Sequence, residues 1–123
     1  MSNLTIMPSR EDLAVPISDL AAKLQEMTLR YTDQAVLDAS CIFVKLLESR
    51  ETIAPYKLYL YIKATIESQP VAVRHRVSLF LVSFVEQLLA SRLISREYVI
   101  AYRQFAVQFE RERERAAASR TVH

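Results

Sequence analysis

No glycine occurs anywhere in this chain of 123 residues. Glycine reaches positive φ at little steric cost, so primed hairpin turns, many bulges and the tight loops of β architectures rely on it. Its absence weighs against all-β and α/β folds and favours helices. It also removes whole classes of chemistry. Phosphate-cradling loops, dinucleotide fingerprints and nucleophile elbows need glycine where the backbone meets a ligand or turns sharply. With 51% hydrophobic and 24% charged residues, the chain has the balance of one folded domain with a modest core.

The remaining punctuation divides the chain. Residues 1–16, with Pro8 and Pro16, read as an irregular lead-in. A first helix is expected from Ser18, with Leu20, Leu24 and Met27 on one face. Thr28 to Thr32 form a break or kink. Thr32 or Asp33 then caps a second helix to about Ser49, with Val36, Ala39, Phe43, Val44 and Leu47 facing inward. Thr52 is expected to cap a third helix, with Pro55 in its first turn. Its segment YKLYLYIKATI has the aromatic and β-branched residues of a strand. Leu58, Ile62 and Ile66 nevertheless step by four, and no partner strand is evident, so helix is predicted.

The fourth helix is expected over about 69–92, capped by Ser68 with Pro70 in its first turn. Val73, Val77, Phe80, Leu81, Phe84 and Leu88 centre its apolar arc, which Val82, Val85 and Leu89 widen to about 200°. Such a helix needs cover from two neighbours, or from one neighbour and another chain, which makes it the central one. Ser95 caps a last helix with Tyr98, Val99, Tyr102, Phe105, Ala106 and Phe109 along one face. The short SRLI connection makes these last two helices antiparallel neighbours. The prediction is an all-α compact bundle of four to five helices: a single domain over 17–118, with a frayed tail at 119–123.

The densest apolar stretch, Val77 to Leu89, is interrupted by Ser78, Ser83, Glu86 and Gln87. A membrane span needs roughly 20 predominantly apolar residues, so no membrane partner is expected. The N-terminus MSNLTIMPSREDLAVP lacks a basic segment leading into an apolar run, the mark of a secretory leader. Cys41 is the lone cysteine, and a chain without a disulfide framework fits a reducing cytoplasm.

Little points to catalysis. His75 is the only histidine away from the C-terminus, and one His with one Cys does not make a metal site. A Cys41 nucleophile would want a paired base and an oxyanion hole. No cofactor, metal or enzymatic activity is expected.

Charge is uneven. Residues 1–68 carry seven Lys/Arg against nine Asp/Glu, whereas residues 69–123 carry nine arginines against five glutamates. Arg74, His75, Arg76, Arg96 and Arg103 are therefore candidate contacts to an anion or nucleic acid, although Arg74 and Arg76 diverge by about 160° on a helical wheel. In ERERER, residues 110–115, attractive i,i+3 and repulsive i,i+4 pairs largely cancel, so it reads as a solvated helix end.

An apolar surplus carries the functional expectation. Ile100 and Val107 lie away from the last helix's aromatic stripe, Leu79 falls among polar neighbours, and Ile53 and Leu60 sit off the third helix's stripe. Leu79, Ile100, Val107, Leu60 and Tyr61 are the candidate partner interface. The expected function is a small helical interaction module. It would act as a regulator, adaptor or inhibitor by docking on another protein or by homodimerising, for example as an antiactivator occluding a transcription factor. Nucleic-acid binding through the Arg-rich second half is the alternative.

Overall fold

The computed structural model describes residues 9–121. It is an all-α bundle of five helices: α1 (Ile17–Thr28), α2 (Gln34–Leu47), α3 (Pro55–Glu67), α4 (Arg74–Ala90) and α5 (Arg96–Thr121). Two short strands, β1 (Val15–Pro16) and β2 (Thr52–Ile53), pair antiparallel, with Val15 opposite Ile53. The described part of the lead-in includes a 3-10 turn over Glu11–Leu13; its first eight residues lie outside the described ones. At the other end α5 stays helical through Thr121 rather than fraying at Ser119, and residues 122–123 lie outside the described ones.

Two helix starts differ from expectation for local reasons. Thr52 does not cap α3, because strand pairing claims it; Ala54 takes the N-cap and Pro55 the first helical position, where a missing N–H matters least. Ser68 ends α3, donating its hydroxyl to the Thr65 carbonyl at 2.7 Å, instead of opening α4. A 3-10 turn over Val71–Val73 follows, and α4 begins only at Arg74. Arg74 then reaches back to the carbonyls of Gln69 (2.8 Å) and Glu67 (2.9 Å). A cation at the end of α3 complements that helix's dipole and satisfies its last carbonyls.

The other caps follow the sequence. Asp33 accepts the Ala35 N–H at 3.0 Å and so starts α2, while Ser95 accepts the Tyr98 N–H at 3.1 Å and starts α5. Without glycine, the left-handed positions fall to Arg10 (φ 43°) and Arg92 (φ 62°). Arg92 closes α4: its N–H reaches the Leu89 carbonyl at 3.0 Å and the Leu93 N–H reaches Leu88 at 2.9 Å. This is a Schellman closure built on arginine, at a conformational cost of about 1 kcal/mol.

α4 packs on α1, α2 and α3, and α3 carries α5 on its other side. Leu20, Leu24, Val36, Phe43, Leu47, Leu58, Val77, Phe84 and Leu88 make the buried centre. The expectation that α5 lies beside α4 fails, because α5 packs chiefly on α3. Its aromatic stripe has better partners there. Tyr56 meets Phe105 at 5.7 Å between ring centroids, and Tyr59 meets Tyr102, Phe105 and Phe109 at 5.6–5.7 Å, all edge-on. Further along, Lys63 pairs with Glu110 (2.8 Å) and Glu67 with Arg113 (2.9 Å). Both series advance together, so α3 and α5 run parallel. ERERER is therefore not merely a solvated end, since Glu110 and Arg113 hold the register of α5 on α3.

That register depends on pH. The Lys63 ammonium first, and then the Tyr59 hydroxyl donating to the same carboxylate, hold Glu110 below the usual range for a glutamate. Such a depressed carboxyl stabilises the fold fully above its unfolded value of about 4.3 and loses that contribution as pH falls through the lower folded value. Asp33, gripped by Arg76, is shifted in the same direction. The melting midpoint should fall below about pH 4.3, and Glu110→Gln should flatten part of that fall in a pH series of thermal melts.

Candidate interaction surface

The buried stripe of α4 is narrower than expected. Val77, Phe80, Leu81, Phe84 and Leu88 are buried, an arc of about 100° on a helical wheel. Val85 and Leu89 are half-buried, and Val82 stands 54% exposed. The opposite face carries His75, Leu79, Val82 and Glu86, all exposed at successive spacings of four, three and four residues. Leu79 is 57% exposed. The second apolar flank of α4 is therefore left open by this chain.

α5 shows the same pattern. Arg96, Ile100, Arg103, Val107 and Arg111 lie along one exposed face, at successive spacings of four, three, four and four residues, which keep side chains on a single ridge. Ile100 is 54% and Val107 50% exposed. Because α5 rests on α3 rather than α4, the two are separate ridges and not one patch.

Other expected interface residues turn inward. Ile53 is buried, and Leu60 and Tyr61 are only half-exposed at the flanks of α3. The Tyr61 hydroxyl accepts from Arg50 Nε at 3.2 Å, and Lys57 lies over its ring. Burial pushes the Tyr61 phenol up, but hydrogen bonds from Ser49 and Arg50 with the nearby cations outweigh it and lower the value. Tyr59 and Tyr98 are interior, and their hydroxyls donate to Glu110 and to the Ile53 carbonyl.

The cationic candidates separate just as sharply. Arg74 is spent on the end of α3, and Arg76 is bound to Asp33 at 2.8 Å. His75 points out between them on the α4 ridge. Arg96 and Arg103 are exposed and make no ion pair among the described residues; Arg111 is a third of the same kind. Sequence reasoning missed Arg111 because it was read as part of the ERERER block, although it sits four residues beyond Val107. Val82 stands on the flank that widens the apolar arc of α4 and is not among the named interface candidates.

A cleft of about 500 Å³ lies between α1 and α2, lined by Ala21, Leu24, Leu37, Cys41 and Val44, with Lys45 and Glu48 also on its wall. Cys41 is exposed there. Neither a base paired to that thiol nor a group of three metal-ligating side chains occurs among the described residues. No described helix is long and apolar enough to cross a membrane. The chain matches no protein-family model, no curated protein and no solved structure.

Proposed function

We propose that this is a small helical docking protein that acts by covering a surface of another protein. The supporting observation is the arrangement of its exposed aliphatic side chains. Scattered exposed apolar residues are ordinary, but Leu79 with Val82, and Ile100 with Val107, stand in line on the outer faces of two helices whose inner faces are already buried. A rigid bundle presenting such ridges suits steric regulation: an adaptor, an inhibitor, or an antiactivator that occludes a transcription factor in a bacterial cytoplasm.

The test is capture of the partner from native-host lysate, with the eluted complex sized by light scattering. Leu79→Asp, Ile100→Asp and Val107→Asp should abolish capture or self-association by at least one ridge. Their far-ultraviolet spectra should stay near that of the parent, since exposed substitutions typically change stability by about 0.5 kcal/mol or less. Unchanged capture by all three would remove the proposal.

A second reading, nucleic-acid binding, draws on the arginines of α5 that have no ion pair among the described residues, Arg96, Arg103, Arg111 and Arg115. It requires affinity that falls steeply with salt. A flat salt response rejects it.

A further inference from the structure

We infer that the outer face of α5 takes an acidic amphipathic helix of a partner protein. This rests on the docking reading above and specifies the chemistry of its partner. The reason lies in how the chain uses its cations. Arg10, Lys23, Lys63, Arg76 and Arg113 each pair with a carboxylate of this chain, and Arg74 is held by backbone carbonyls. Other cations, Arg30, Lys45, Arg92 and Arg115 among them, also lack such a partner among the described residues, but Arg96, Arg103 and Arg111 are the ones aligned along one helix face. All three fall on the ridge that also carries Ile100 and Val107.

Along the helix axis the arginines stand about 10 and 12 Å apart, with one aliphatic side chain in each interval. Arg96, Ile100, Arg103 and Val107 follow the spacing of a heptad seam, in which β-branched Ile100 and Val107 take one core position and Arg96 and Arg103 the other. Arg111 flanks it one residue past the next seam position. Arginines at the seam need carboxylates opposite them. A facing helix with acidic residues and aliphatic residues alternating at the same spacing supplies both.

The other occupants fit less well. Antiparallel pairing of two copies of α5 could set Ile100 against Val107 of the second copy, but the same register brings Arg96 against Arg111 and opposes like charges. A nucleic-acid backbone leaves Ile100 and Val107 without a role. A bilayer surface needs a broad apolar face, and here one aliphatic side chain stands in each interval of seven or eight residues.

The probe is a stapled helical peptide of about 20 residues, since shorter isolated helices are marginal in water. It carries leucines at one seam position and glutamates at the other. Fluorescence anisotropy with the full chain should show binding at micromolar concentrations. Arg103→Glu should weaken it on the order of tenfold or more, and a lysine-for-glutamate peptide should recover binding to that variant, because reversing both charges restores the attraction. Overturning results are absence of binding by the glutamate peptide, binding indifferent to Arg103→Glu, or tighter binding of a DNA duplex, of phosphatidylserine vesicles or of a second copy of the chain. Peptide binding lost in Leu79→Asp but kept in Arg103→Glu would sink this inference and leave the docking reading standing. Loss of partner capture in none of the three Asp variants would sink the docking reading itself.

Discussion

Tyr98→Ala should unfold most of the population near physiological temperature, with a loss of about 3–5 kcal/mol. Tyr98 is 1% exposed, and its hydroxyl donates to the Ile53 carbonyl at 2.9 Å. The ring belongs to the core cluster, and the hydroxyl pins the β1–β2 bridge to the first turn of α5. Removing the ring leaves a cavity and also removes the side-chain hydrogen bond to a buried carbonyl that belongs to the β1–β2 ladder. Tyr98→Phe separates the two effects. It keeps the ring and loses only that hydrogen bond, at about 0.5–1.5 kcal/mol, because the carbonyl keeps its place in the β1–β2 ladder. Burial also pushes the phenol of Tyr98 well above its ordinary value, so it stays neutral through the range where this test is run. Urea titrations of both variants check the prediction. A loss in Tyr98→Phe as large as that in Tyr98→Ala would contradict it.

Tyr59→Ala should cost a similar amount, about 3–5 kcal/mol, but with a different distribution. Tyr59 is the hub of the α3–α5 contact: its ring touches three rings of α5 and its hydroxyl donates to Glu110. Beyond Glu110 the side chains of residues 111–119 are exposed, and the Arg113–Glu67 pair that holds the outer half of α5 there is itself solvent-exposed. Hydrogen exchange should accelerate first from Phe105 onward, whereas the amides of α2 and α4 keep protection closer to the parent at matched stability. Tyr98→Ala should instead raise exchange throughout. Uniform acceleration in both variants would mean that α5 has no separate opening step.

Much of this architecture was legible in the sequence. The helical periodicity of α1 and α2 is strong, the buried residues of α4 step at helical spacing, and the Asp33 and Ser95 caps sit directly before α2 and α5. What escaped was nonlocal. Thr52 carries the local signature of an N-cap, but pairing with Pro16, distant in sequence, outcompetes it. Arg76 is a candidate anion contact by sequence, but the N-cap residue of α2, Asp33, already occupies its guanidinium. The aromatic face of α5 is evident from its spacing, yet nothing in that spacing says whether α3 or α4 receives it. Of the candidate surface, Leu79, Ile100, Val107, Arg96 and Arg103 are exposed as expected. Leu60 and Tyr61 turned partly inward because both lie close to the edge of the α3 contact face.

The sidedness of α4 and α5 underlies the functional proposal. Each helix buries one stripe and leaves an aliphatic ridge in water, and the ridges differ in their polar neighbours: His75 and Glu86 on α4, three arginines on α5. That difference suits distinct contacts on the two faces. It is also why exchanging the α5 arginines should alter partner choice, while changes at Leu79 should alter only the contact made by α4.

The most direct measurement is the thermal melt and far-ultraviolet spectrum of the Ile100→Asp, Val107→Asp double variant, read beside its binding to the captured partner. Retained helicity, a melting midpoint within a few degrees of the parent and lost binding are the predicted result. Collapse of the helical signal would place Ile100 and Val107 in the core and contradict the docking account.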